Sequence, residues 1–107
     1  MARISPLTQL NDPTLLKTKA LINGEWVDGN GTFAVTDPAT GEHLADVANL
    51  GAAHAEQAIA AANAAWGAWR KTTAKVRSQI LRKWFDLLMA NQADLARIMT
   101  AEQGKPL

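Results

Sequence analysis

The chain has 107 residues, 11 Lys+Arg against 10 Asp+Glu, two histidines and no cysteine. Its hydrophobic fraction is 48%, but 21 alanines supply much of it, so a core can form while each Ala-rich helix buries little area. That length allows one small domain or part of a larger one. The lack of cysteine excludes a disulfide framework and a thiolate metal site. His43 and His54 cannot make a structural zinc site alone. A net charge of +1 gives no global pull toward nucleic acid or acidic lipid. No apolar run approaches the roughly 18–20 residues that span a bilayer. The opening Met1-Ala2-Arg3-Ile4-Ser5-Pro6 lacks the apolar stretch of a secretory signal, so the expected location is cytoplasmic.

The two halves differ in texture. Residues 1–50 hold three of the four prolines and four of the seven glycines, and read as turns and strands. An arm over 1–19 contains a short helix capped by Asp12, with Pro13 at its first position, where no N–H is needed. Leu15 and Leu16 give it an apolar face. Hairpins follow over 20–50. Ala20-Leu21-Ile22 and Glu25-Trp26-Val27 flank Asn23-Gly24, a pair that accepts the positive φ angles of a tight turn. Asp28-Gly29-Asn30-Gly31 is a further turn. Phe33 to Thr36 reads as a strand, Asp37-Pro38-Ala39-Thr40-Gly41 as a turn, and His43 to Val47 as the returning strand. Leu44 and Val47 seek cover on it.

Residues 51–107 read as three helices. Ala55, Ile59, Ala62, Trp66 and Trp69 recur at spacings of 4, 3, 4 and 3, one face of a helix. Thr73 caps the second helix, whose stripe is Val76, Ile80, Trp84, Leu87 and Leu88. Asn91 caps the third, with Asp94 at the reciprocal position of a capping box and Leu95, Ile98 and Met99 as the stripe. Gly104 ends it, with Pro106 beyond. The fold class is therefore α+β, two N-terminal β-hairpins followed by three helices. The apolar faces must pack on each other or on further polypeptide.

The chemical motifs are thin. Gly29-Asn30-Gly31 begins like a dinucleotide fingerprint, but Ala34 stands where the third Gly belongs and no helix follows, so it reads as a turn. With no Cys and no Tyr, and with Ser5 and Ser78 lacking an adjacent His, no nucleophile stands out. His54 reads as an exposed helical histidine. Arg70, Lys71, Lys75, Arg77, Arg82 and Lys83 form the one charge cluster, within 14 residues free of acids. Their spread over a loop and several helix faces reads as solvated surface, although the helices around Asn91 allow a helix-turn-helix. Trp66, Trp69 and Trp84 read as core positions.

Several segments are nonetheless recognisable in order. Ala20-Leu21-Ile22-Asn23-Gly24-Glu25-Trp26 resembles the opening hairpin of the aldehyde dehydrogenases, and Thr36-Asp37-Pro38-Ala39-Thr40-Gly41-Glu42 their second. An Ala-rich helix ends in Trp69 to Thr73. Leu81-Arg82-Lys83-Trp84-Phe85, Leu95-Ala96-Arg97-Ile98-Met99-Thr100 and Glu102-Gln103-Gly104-Lys105-Pro106-Leu107 complete the match. Within the family, Leu10 to Leu107 is most similar to the bacterial succinate-semialdehyde branch. The resemblance implies that residues 1–107 open the α/β NAD(P)-binding domain of a longer enzyme. It implies NAD or NADP as cofactor of the intact enzyme, with none bound by this piece. The family chemistry is thiolate attack on an aldehyde, hydride transfer to nicotinamide, and hydrolysis of the thioester. Its catalytic and cofactor-contacting residues all come later in the family's chains, so no residue here takes a catalytic or cofactor-binding role. One metal site overlaps in part: some members hold a monovalent cation at positions matching Thr36 and Glu102, a carbonyl and a carboxylate suited to a hard ion, with a further ligand downstream. The family often has Asp where Glu102 stands, and the favoured reading of Glu102 is an ordinary helix-end acid, so the metal assignment is left open.

Two departures from the family weaken helix ends. Val76 stands where a Glu usually completes the capping box begun by Thr73, and Ala53 stands near a usual acid. The implied partners are the remainder of the dehydrogenase chain and its homo-oligomer, with no nucleic acid and no membrane. Competing readings are a free-standing interaction module that uses the exposed apolar faces, and a small helix-turn-helix binder of nucleic acid.

Overall fold

The computed structural model describes residues 5–107; the opening residues Met1 to Ile4, read above for a leader, lie outside them. The arm forms two single 3₁₀ turns. Ser5 caps Pro6–Gln9 by accepting the Leu7 N–H, and Asp12 caps Pro13–Leu15 by accepting the Thr14 N–H at 3.0 Å. The second is the short helix that Asp12-Pro13 predicts, confined to one turn; the first was not expected. Leu15 and Leu16 are half-buried.

Strands β1 (Ala20–Ile22) and β2 (Glu25–Val27) pair antiparallel with Leu21 opposite Trp26. Asn23 and Gly24 sit at φ 52° and 77°, the two positive angles of a turn matched to strand twist. Strands β3 (Thr32–Thr36) and β4 (His43–Ala48) form the second hairpin, with Phe33 opposite Val47 and a register irregularity between Val35 and Thr36. Leu44 and Val47 are half-buried, as their apolar character requires. The two hairpins are separate two-stranded sheets.

Backbone bonds tie them together. The Ala48 N–H donates to the Thr18 carbonyl at 2.8 Å, Asn30 N–H to the Asn49 carbonyl at 2.8 Å, and Asn49 N–H to the Gly31 carbonyl at 2.9 Å. Gly29 is required at this junction: a Cβ there would lie 2.6 Å from the Asn49 carbonyl carbon. The 28–31 turn is thus packed against the far end of β4.

Helices α1 (Ala52–Trp69), α2 (Ala74–Ala90) and α3 (Gln92–Gln103) follow. Ala supplies most of α1's propensity. Its start has no side-chain cap and no acid in the first turn, as Ala53 foretold. The Thr73 hydroxyl caps α2 by accepting the Val76 N–H at 3.2 Å, and Val76 returns nothing. Gly104, at φ 84°, ends α3 as expected.

Two expectations are corrected. Asn91 does not cap α3 with its side chain; its Nδ2 donates back to the Leu87 carbonyl at 2.9 Å, so it closes α2 instead. Helices α2 and α3 are joined through this single residue, not by the three- to four-residue turn of a helix-turn-helix. The face of α1 turned inward is also different. His54, Ala58 and Ala61 are half-buried near β1, while Ile59 and Trp66 of the expected stripe are 68% and 53% exposed. Small side chains let the hairpin approach closely, and the bulky stripe lies roughly a quarter-turn around the helix at about 100° per residue.

Among the described residues Ala101 is the one apolar residue that is fully buried. Helix α2 exposes Val76, Ile80, Leu81, Trp84, Phe85, Leu87, Leu88 and Met89 by 40–60% each. The accessible surface is 8130 Å², against roughly 5,800 Å² for a folded monomer of this mass. The radius of gyration is 17.2 Å, against about 13 Å for a compact chain of this length. These helices therefore owe their form to local propensity more than to tertiary burial. Heating the 107-residue chain should give a gradual loss of ellipticity at 222 nm from near ambient temperature. A sharp cooperative transition well above ambient, with a matching calorimetric peak, would refute this account.

Candidate functional site

Helix α3 meets the arm along its length, and its end lies against the second hairpin. The Asp37–Gly41 turn is tightly bonded. The Asp37 carboxylate is buried and accepts the Ala39 N–H at 2.8 Å, the Asp37 N–H donates to Glu42, and the Gly41 N–H donates to the Asp37 carbonyl at 2.7 Å. A Cβ on Gly104 would lie 3.2 Å from Pro38 Cγ, so the end of α3 sits against this turn. The hairpin end that holds Thr36 and the helix end that holds Glu102 thereby share one neighbourhood.

Thr36 and Glu102 are both exposed there. Among the described residues no group of three or more His, Cys, Asp or Glu could hold a metal ion. A carbonyl and one carboxylate supply two hard donors, fewer than an oxygen-ligated ion takes. These residues alone do not form a coordination shell.

Asp94 lies at the other end of α3, and its role differs from the reading as a capping box. It is 3% exposed. Its Oδ1 accepts the Asn11 N–H at 2.8 Å and Arg97 Nη1 at 2.9 Å, and its Oδ2 accepts the Asp12 N–H at 2.8 Å. The Asn11 N–H does most to hold this carboxyl below its ordinary pKa; burial opposes the shift, and the Asp12 N–H and Arg97 add to it. No local signal in the sequence points to this pairing, because the two amides lie more than 80 residues from Asp94.

The basic cluster resolves into parts. Arg77 is half-buried at the α1–α2 joint. Its Nε donates to Thr72 Oγ1 and its Nη2 to the Trp69 carbonyl, both at 3.0 Å, with the guanidinium 5.4 Å from the Trp69 ring centroid. It thus satisfies the carbonyl end of α1, where a cation is favoured. Arg82 pairs with Asp86 at 3.4 Å and lies over Phe85. His43 meets Asp46 at 2.9 Å on the exposed face of β4.

His54 corrects a further expectation. It is half-buried, not exposed, and its Nδ1 is shielded from solvent with no hydrogen-bond partner. It lines a shallow cavity of about 320 Å³ with Ala20, Ile22, Leu50, Gly51, Ala55 and Ala58. Gly29-Asn30-Gly31 lies between β2 and β3, bonded to Asn49, and opens no helix. It does not offer the helix N-terminus on which a dinucleotide pyrophosphate rests.

The profile of the aldehyde dehydrogenase family matches residues 26–107, more than half of the chain. The chain belongs to the aldehyde dehydrogenase family. It is 55% identical over 101 residues to the NADP(+) succinate-semialdehyde dehydrogenase of Escherichia coli, a match covering 92% of this chain and 21% of that protein. It is 52% identical over 103 residues to 3-sulfolactaldehyde dehydrogenase of Pseudomonas putida, covering 94% of this chain and 21% of that one. The crystal structure of succinate-semialdehyde dehydrogenase from Burkholderia pseudomallei superposes with a TM-score of 0.88 at 56% identity, over 91% of this chain and 20% of that chain. The chain spans about a fifth of the length of these relatives. The two hairpins and three helices are thus the N-terminal part of the aldehyde dehydrogenase fold.

The orphaned ring nitrogen gives a test. His54→Leu replaces a shielded, unpartnered ring nitrogen with an apolar group of similar size and should stabilise the β1–α1 contact by about 1 kcal/mol. The readout is hydrogen exchange, several-fold slower at the bonded amides of β1 and at α1 amides from Ala55 onward. Unchanged or faster exchange would show that Nδ1 has a partner in solution.

Proposed function

We propose that this chain is the opening part of an NAD(P)-dependent aldehyde dehydrogenase that oxidises a short aldehyde carrying an anionic group at its far end, succinate semialdehyde first among these. The family match and the similarity across nearly the whole chain support the reaction class. The substrate class rests on what the similar proteins are named for: succinate semialdehyde, glutarate semialdehyde and 3-sulfolactaldehyde. Each is a small aldehyde ending in a carboxylate or sulfonate.

The chain's own share in that reaction is structural. Without cysteine it has no thiolate to attack an aldehyde, and its glycine turn does not cradle a dinucleotide. The catalytic groups and the NAD(P) contacts belong to polypeptide that follows in the longer family members. The expected setting is cytoplasmic; no helix among the described residues is long and apolar enough to cross a membrane.

One observation carries the structural role: the apolar surface of α1 and α2. On α2 the apolar residues cover roughly 220° of the circumference at about 100° per residue, wider than one packing face requires. An arc this wide fits a helix covered from two sides. The remainder of the dehydrogenase chain and its oligomer are the partners we assign to it.

The test is complementation. The 107-residue chain is mixed with the E. coli relative lacking the segment that corresponds to it, and NADP+ reduction is followed with succinate semialdehyde. Activity should appear on mixing and be absent from either piece. Trp84→Ser, at a residue 60% exposed here, should leave the ellipticity of the 107-residue chain unchanged and lower the restored activity at least tenfold. No activity from a stable, mixed complex would overturn the proposal.

A further inference from the structure

We propose that residues 5–16 form a releasable strap, latched onto α3 by the Asp94 carboxylate, whose opening bares one face of that helix. Among the described residues, the hydrogen bonds that carry this segment beyond itself are those from the Asn11 and Asp12 amides, and both end on Asp94. The other bonds of the segment are local: Ser5 to Leu7 and Thr8, Asp12 to Thr14 and Leu15, and Pro13 to Leu16. The strap has no strand or α-helix of its own. Its grip on α3 is this latch plus the contact of the half-buried Pro6–Leu7 turn.

The covered face is identifiable. It starts at Asp94, where the Asn11 and Asp12 amides sit, and Ile98 and the buried Ala101 continue the same side of α3 toward the end that meets Pro38. The opening has a defined limit. The Thr18 carbonyl accepts the Ala48 N–H, so the chain is pinned to β4 just past the strap. Release swings residues 5–16 about Lys17 and leaves both hairpins in place.

The latch chemistry makes it switchable. Asp94 uses both oxygens as acceptors, and each faces an N–H of the strap. A proton on either oxygen turns an acceptor into a donor opposite another donor. Among the described residues the charged groups at the latch are Arg97 on α3, which favours the carboxylate, and Asp12 on the strap, whose own carboxylate is turned to Thr14. Because Asp94 binds its proton less readily when latched than when free, the latch holds at neutral pH. It opens as pH falls below the ordinary carboxylate range.

Asp94→Asn imposes the same defect at every pH, since its amide nitrogen must face one of the two strap amides. The experiment is residue-resolved hydrogen exchange on the 107-residue chain near pH 6 and just above freezing, below the onset of its gradual melt and with α3 amides protected as the internal control. The Asn11 and Asp12 amides should be protected at least tenfold in the wild type and unprotected in Asp94→Asn, with α1 amides unchanged. Asn11→Pro removes one donor from the strap without altering α3, and should free Asp12 while amides from Ile98 to Gly104 stay protected. Free exchange at Asn11 and Asp12 in the wild type would overturn the proposal, as would retained protection in Asp94→Asn. Loss of α3 protection in both variants would make the arm an integral part of the helix, and would also overturn it.

Discussion

Two backbone amides at the start of the chain and one carboxylate more than 80 residues later close this molecule into a loop. Helix α3 is the piece on which that closure depends. At its first turn Asp94 takes the Asn11 and Asp12 N–H groups; at its last, Gly104 lies against Pro38 of the second hairpin. Ala101, the fully buried apolar residue, is on the same helix. A buried carboxylate is costly unless its lone pairs are filled, and Asp94 is filled from both the strap and Arg97. The short sequence Asp94-Leu95-Ala96-Arg97 thus organises elements drawn from both halves of the chain.

The other joints are polar or backbone as well. Arg77 closes the carbonyl end of α1, Thr73 opens α2, and Asn91 ends α2 on the Leu87 carbonyl. The hairpins meet through the Asn49 and Thr18 backbone, at a point where Gly29 leaves no space for a side chain. A structure joined this way has defined angles between its elements but little buried apolar area. Hydrogen bonds of this kind contribute about 1 kcal/mol each, and they hold geometry better than they hold stability.

What the sequence disclosed follows that division. Asn23-Gly24, the Asp37–Gly41 turn, the Thr73 cap and the Gly104 stop were legible because a few adjacent residues determine them. The fold class followed from this punctuation and the helical spacing, and the family resemblance added segments such as Leu81–Phe85 and Leu95–Thr100 to it. Asp94 was read as half of a capping box because its spacing from Asn91 permits one; its amide partners lie too far along the chain for any periodicity to reveal. The inward face of α1 was misplaced because hydropathy favours Ile59, Trp66 and Trp69. Close approach of a hairpin instead favours the smaller Ala58 and Ala61. The stripe itself was real, but it faces outward. Residues matching a family cation site were legible as positions, and the shared neighbourhood of Thr36 and Glu102 follows from Gly104 resting on Pro38. A complete ligand set was not legible, since two oxygen donors do not make one.

The mismatch between ordered elements and missing burial is itself informative about role. A chain that had to stand alone would gain from placing Trp66, Ile80 and Trp84 in its own interior, since full burial of each large side chain contributes roughly 1.5–3 kcal/mol. Here they are half or more exposed, while the small residues and polar clasps face inward. That arrangement suits a piece whose internal contacts fix shape and whose apolar faces are left for other polypeptide. It also separates two functions along the helices. The exposed arc of α2 is available for docking in the folded chain, whereas the Asp94 face of α3 becomes available only when the strap lifts. Under the proposed function the first surface is the one that meets further polypeptide, and the second lets the arm move without disturbing that contact.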